Sequence, residues 1–97
     1  MSDVQIDFNN IESLTLRQLG KDLMEDLVEL CPSDAAVRAT FRLVKGRFLA
    51  DIMVASSSGI MRSFEQGVAF KDLLANVKSQ LMGQIVQWRD RRFAAQA

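Results

Sequence analysis

The apolar residues of this chain change their spacing along the sequence, and these changes constrain the fold more than any other feature. In residues 4–8, and again through residues 36–65, apolar and polar residues alternate, which is typical of strands with one buried face. Over residues 14–30, and again after Gly67, apolar residues recur at three- and four-residue intervals, as they do on one face of a helix. The predicted order of elements is therefore β-α-β-β-β-α.

Short local signals mark the ends of these elements. Ser13 is a candidate N-cap for the first helix, and Pro32 is expected to stop that helix. The "KG" at 45–46 and the "SSSG" at 56–59 are turn candidates between strands. The second helix covers roughly 25 residues, or ~35–40 Å at ~1.5 Å per residue, so its last turns should extend beyond the sheet.

Together these signals predict a single α+β domain over residues 1–97, built on a four-stranded mixed sheet. A crossover through the first helix makes the first two strands parallel, and short turns make the last three strands antiparallel. Both helices should then pack on one face of the sheet, which leaves the outer face to solvent or to a partner.

The residue types exclude several kinds of site. The chain has no histidine and one cysteine, Cys31, so Ser/His/Asp, Cys/His and zinc-type sites cannot form within a single chain. No glycine-rich phosphate loop is present, and we expect a protein that is not an enzyme and takes no cofactor and no small-molecule substrate. Cys31 is interpreted as a small buried hydrophobe. No long apolar run or signal-peptide pattern is found, so no membrane partner is expected and the predicted location is the cytoplasm.

The net charge of zero hides a strong asymmetry along the chain. Residues 1–35 carry two basic and eight acidic side chains, a net charge of −6, whereas residues 36–66 and 67–97 each carry five basic and two acidic, a net charge of +3. The first helix is thus predicted to be acidic, and the middle strands and second helix mildly basic. The balanced total argues against a dedicated nucleic-acid binder but is compatible with a local basic patch.

The outer face of the predicted sheet carries Arg38 and Arg42 on either side of Thr40. One interpretation is a solvated face with cross-strand ion pairs, for example from an arginine to Asp51. The other is a phosphate-contacting face, which the pattern favours less because it predicts no aromatic residue there for base stacking. Apolar side chains predicted on the same face suggest a protein interface, such as a homodimer. Its candidate residues are Arg38, Arg42, Leu49, Met53 and Met61.

The segment "QIVQWRDRRF" at 84–93 concentrates positive charge at the end of the second helix. Trp88 continues the apolar stripe and is predicted to pack in the core. The arginines that follow fit an ordinary helix end, where each cation interacts favourably with the helix dipole by ~0.3–1 kcal/mol. The residue types alone favour this ordinary helix end, while a basic hook for a polyanion stays open as the second interpretation.

The second half of the chain contains several motifs whose order and spacing match a known family pattern without gaps. They are "FLAD" at 48–51, the "SSSG" turn, and a long helix with a glutamine among its apolar positions. The matching helical positions are Leu74, Val77, Leu81, Gln84 and Ile85. Upstream, "NNIESLTLR" leads into the first helix with Leu16 and Arg17 on matching positions. In these motifs and in its element order, the chain resembles the bacterial family of ribosome hibernation-promoting factors and ribosome-associated inhibitors.

The resemblance implies a fold similar to the double-stranded-RNA-binding domain and a function in translation regulation under stress. It implies binding to ribosomal RNA of the small ribosomal subunit, in the channel of messenger and transfer RNA, through basic helix surfaces. The RNA-binding candidates that it indicates are Arg17, Lys78, Arg89, Arg91 and Arg92. Gln80, Gly83 and Gln87 stand where the family has basic residues. The alternative is therefore a protein-interaction module that keeps the fold without binding the ribosome.

Overall fold

The computed structural model describes residues 3–57 and 59–96, and for residues 91–96 it describes the backbone alone. The elements follow the predicted order. They are β1 (Asp3–Asn9), α1 (Leu14–Val28), β2 (Ala36–Val44), β3 (Arg47–Ser56), β4 (Gly59–Gly67) and α2 (Phe70–Gln96). No helix in these ranges is long and apolar enough to cross a membrane.

The four strands form one mixed sheet in the order β1-β2-β3-β4. β1 is parallel to β2, while β2 pairs with β3 and β3 with β4 in antiparallel fashion. This arrangement confirms the predicted fold class. Lys45 and Gly46 adopt positive φ angles of 50° and 78° in the β2–β3 turn, which agrees with the hairpin turn predicted at "KG".

The core lies between the helices and the inner face of the sheet. Phe41 is fully buried at its centre, where it stacks on Phe8 with ring centroids 5.3 Å apart and meets Phe70 edge-on at 5.7 Å. Gly20 allows α1 to approach this cluster closely, because a Cβ atom there would lie 3.0 Å from the Phe8 ring. Trp88 is partly buried against the same core, as the apolar stripe predicted.

The helix α1 begins as predicted but ends earlier. The Ser13 hydroxyl accepts a hydrogen bond from the Leu16 amide at 3.3 Å, which confirms the N-cap. The helix ends at Val28 rather than directly before Pro32. The amides of Leu30 and Cys31 donate to carbonyls three residues back, so the chain tightens into a turn before the proline.

The helix α2 is fastened to the edge strand β4 by two glutamines. The Gln84 amide accepts from the backbone N–H of Arg62 at 2.9 Å and donates to its carbonyl at 2.7 Å. One turn earlier, Gln80 accepts from the buried Ser63 hydroxyl at 2.6 Å and donates to Glu65. The Gln84 contacts cover the backbone N–H and C=O of Arg62, which an edge strand would otherwise present to other chains.

The structure corrects the position of Met61. The β3–β4 register pairs Ser56 with Gly59 and therefore Val54 with Met61. Because directly paired residues share a face, Met61 joins Val54 in the core, where it is only 6% exposed. The placement of Met61 on the outer face was therefore wrong. Both faces of β4 carry apolar residues, so its alternation alone did not fix which side is buried.

Candidate nucleic-acid interface

Three basic side chains of α2 that the structure describes share one side of the helix. Lys71, Lys78 and Arg89 are all exposed. Their spacings of seven and eleven residues are close to two and three turns at ~3.6 residues per turn, so the three form a stripe about 27 Å long. We call this set the α2 basic stripe. The sequence had indicated Lys78 and Arg89, and the helical geometry adds Lys71.

The other two arginines of the tail lie further along the same helix. Arg91 and Arg92 belong to α2, and their side chains lie outside the described residues. Their roles therefore stay predictions.

Arg17 is held by the fold itself. Its Nε donates to the Ile11 carbonyl at 2.6 Å, and its guanidinium lies 5.8 Å from the Phe8 ring centroid. The side chain is half-buried and ties the start of α1 to the end of β1. A contact from Arg17 to RNA would have to coexist with these bonds, so the structure gives this residue a structural role.

The positions that lack the expected charge differ in their surroundings. Gln80 holds α2 to β4, as described above. Gly83 is exposed, and a Cβ atom added there would meet nothing within 4 Å. Gln87 is also exposed. Of these three neutral residues, Gln80 is the one whose described contacts stabilise the fold.

The helix α1 carries the opposite charge, as the sequence predicted. Its acidic side chains are all exposed. They are Asp22, Glu25, Asp26 and the C-cap residue Glu29. A phosphate backbone would be repelled from this side of the molecule. Any polyanion must therefore approach α2 or the sheet.

A cross-strand ion pair between an arginine and Asp51 lies on the outer sheet face, as one interpretation of the sequence expected. Asp51 is bound by Arg62 of β4, with a shortest N–O distance of 3.1 Å, rather than by an arginine of β2. Hydrogen bonding and the charge of Asp51 raise the pKa of the Arg62 guanidinium. Among the side chains that the structure describes, no carboxylate lies within ion-pair distance of Arg38 or Arg42.

The apolar residues of this face are only partly those predicted. Leu49 and Met53 are half-buried between Arg42, Arg38 and the residues of β4 with which they pair. Phe64, which the sequence had not indicated, lies on the outer face and is 55% exposed. The β3–β4 turn pairs Ser56 with Gly59, and this pairing determines which residues of β4 face outwards. A correct prediction of that turn would have put Phe64 on the outer face.

A depression of about 130 Å³ opens on this face. Its lining comes from three neighbouring strands and combines an aromatic ring, a cation, a carboxylate and a hydroxyl. The lining residues are Thr40, Arg42, Leu49, Asp51 and Phe64.

Two further groups carry little chemistry. Cys31 is half-buried, its thiol donates to the Leu27 carbonyl at 3.2 Å, and burial raises its pKa, which disfavours the reactive thiolate. Within residues 3–57 and 59–90, no three acidic or cysteine side chains are grouped so that they could hold a metal ion.

The arrangement of this sheet and these helices also occurs in two solved structures. The chain is similar to the N-terminal domain of Protein Y from Thermus thermophilus, with a TM-score of 0.71 and 15% identity over 89% of this chain and 98% of that one. It is likewise similar to a ribosomal subunit interface protein from Coxiella burnetii, with a TM-score of 0.70 and 15% identity over 93% and 99% of the two chains. No protein-family model and no curated protein sequence matches the chain. The comparison agrees with the fold that the sequence resemblance implied.

Proposed function

We propose that this protein is a ribosome-associated translation inhibitor of the hibernation-factor type, and that it binds ribosomal RNA of the small subunit through α2. The observation that carries the proposal is the fold shared, over nearly the whole length of each, with the Protein Y domain and with a ribosomal subunit interface protein. The α2 basic stripe supplies the charge that such binding needs.

The physical basis is phosphate neutralisation. Lys71, Lys78 and Arg89 extend from a rigid helix over ~27 Å, and Arg91 and Arg92 follow in the same helix. Each phosphate neutralised releases counterions, so binding weakens as salt rises. The acidic α1 orients the protein, because it keeps RNA away from the other helix.

Sedimentation with purified ribosomes and with separated subunits, over a series of salt concentrations, tests the proposal. The protein should pellet with small subunits at low salt and leave them as salt increases. Replacement of Arg89, Arg91 and Arg92 by Ala should weaken binding. It should also reduce the slope of log binding constant against log salt concentration by ~0.7–0.9 for each phosphate that is no longer neutralised. Lys21→Ala on α1 is the matched control. Protein that stays in the supernatant at low salt would refute the proposal.

The alternative function is a protein-interaction module that self-associates through the outer sheet face. Leu49, Met53 and the exposed Phe64 favour it. A two-fold dimer through this face would bury Arg38 and Arg42 of both copies in one interface, and the accumulation of like charge there is unfavourable. Light scattering at high protein concentration distinguishes the two functions, since a stable monomer contradicts the alternative.

A further inference from the structure

We propose that the outer sheet face is a second nucleic-acid site, which binds single-stranded RNA with one base stacked on Phe64 and the adjoining phosphates on Arg42 and Arg38. This goes beyond ribosome binding through α2, because the sheet face and the α2 surface are different parts of the molecule and can be tested separately.

The aromatic ring is the first argument. Phe64 is more than half exposed on a strand whose opposite face carries the buried Met61 and Ser63, so the fold does not need the ring for its core. Base stacking on exposed aromatic side chains is the main sequence-tolerant contact by which sheet surfaces hold single strands. The depression that Phe64 helps to line, about 130 Å³ in volume, gives a base edge room on this face.

The available cations are the second argument. Phe64, Asp51 and Thr40 form one row across β4, β3 and β2, and Arg38 and Arg42 lie two residues on either side of Thr40. Both arginines are exposed, and no described carboxylate pairs with them. They are about 13 Å apart along the strand at ~3.3 Å per residue. A backbone that follows β2 could therefore contact both while one base reaches Phe64.

The carboxylates of this face are consistent with the same occupant. Asp51 forms an ion pair with Arg62, and the positive charge of Arg62 reduces the repulsion between Asp51 and a nearby phosphate. Its remaining lone pairs can accept from the amino group of a stacked base. Asp7 lies on the outer face of β1, opposite Thr40, and would repel phosphate, so the path of the RNA is confined to β2–β4.

Fluorescence anisotropy with a labelled single-stranded RNA of about ten nucleotides, and with a double-stranded RNA of the same sequence, tests this site. The single strand should bind more tightly, because its bases are free to stack. Phe64→Ala should weaken its binding about tenfold, Phe64→Tyr should restore most of it, and Arg42→Gln should both weaken it and reduce its salt dependence.

Ile60→Ala is the matched control, because Ile60 lies on the same face of the same strand and is 70% exposed. It should leave RNA binding within about twofold of the original protein. Urea unfolding of each variant shows whether it is folded, and both Phe64→Ala and Ile60→Ala should keep a cooperative transition, because the core on the other face of the sheet is unchanged.

Three results would overturn the proposal: no binding of the single strand at low salt, equal losses for Phe64→Ala and Ile60→Ala, or a dimer in solution that Phe64→Ala dissociates. The last would assign the face to self-association. Binding of the ribosome through α2 is measured independently with the Arg89, Arg91 and Arg92 variants, so failure at either surface is distinguishable from failure at the other.

Discussion

Replacement of Gln84 by Ala tests whether the attachment of α2 to β4 stabilises this fold. The wild-type amide makes two hydrogen bonds to the backbone of Arg62, at 2.9 and 2.7 Å. A single net hydrogen bond is worth ~0.5–1.5 kcal/mol, and because Gln84 is only half-buried the lower part of that range applies. The two bonds together should contribute ~1–2 kcal/mol to the free energy of unfolding.

The measurement is urea unfolding followed by circular dichroism, with Gln87→Ala as the control. Both substitutions raise helix propensity by the same few tenths of a kcal/mol, so their difference isolates the contacts of Gln84. With a slope of about 1 kcal/mol per molar urea for a chain of this size, the midpoint of Gln84→Ala should fall below that of Gln87→Ala by roughly 1 M or more.

Hydrogen exchange adds a local measurement. The Arg62 amide points to Gln84 rather than to a neighbouring strand, so it should exchange faster in Gln84→Ala and unchanged in Gln87→Ala. Equal midpoints for the two variants, together with unchanged exchange at Arg62, would refute the reasoning and leave the glutamine contact without energetic weight.

Further predictions concern stability and its dependence on pH. Phe41→Ala should lower the free energy of unfolding by ~3–5 kcal/mol in a urea titration, because it removes the fully buried ring between Phe8 and Phe70. Hydrogen bonds from Ser57 lower the pKa of the exposed Asp34 below its ordinary 3.8. The stability that this provides is present above the ordinary pKa and is lost as pH falls through the lowered pKa. Below about pH 4, the urea midpoint of Asp34→Asn should therefore change less with pH than that of the original protein.

The order of elements could be predicted because local spacing determines it. Ser13 caps α1 through a bond to an amide three residues away, and the alternation of β2 places Val37 and Phe41 in the core directly. In such segments one face is clearly more apolar than the other, so burial has one solution.

The contents of the outer face could be predicted only in part, since they depend on register between strands. An ion pair to Asp51 was expected, but only the β3–β4 pairing places Arg62 beside it. The same pairing puts Phe64, and not Met61, on the outer face. The sequence pattern had predicted no aromatic residue there, whereas the structure shows an exposed ring. The choice of which β4 residues face outwards therefore decides whether this surface offers a ring on which a base can stack.

The positions with reduced charge on α2 separate into two kinds once their contacts are known. Gln80 accepts from Ser63, which is only 2% exposed, so a lysine at position 80 would leave that buried hydroxyl without its acceptor, at a cost of ~1–3 kcal/mol. Gly83 and Gln87 are exposed, and a side chain at position 83 has open space. Positive charge can therefore be returned to the second kind of position but not, without loss of stability, to the first.

This difference predicts a gain of ribosome binding from the pair Gly83→Arg and Gln87→Lys. The double variant should bind small subunits more tightly at moderate salt and steepen the salt dependence, by ~0.7–0.9 in log–log slope for each additional phosphate neutralised. The pair Gly83→Ala and Gln87→Ala is the control, because it shares the ~1 kcal/mol stabilisation from replacing a mid-helix glycine but adds no charge. If both pairs pellet with ribosomes to the same extent, charge on this part of α2 does not contribute to binding, and the neutral residues at 83 and 87 have no bearing on affinity.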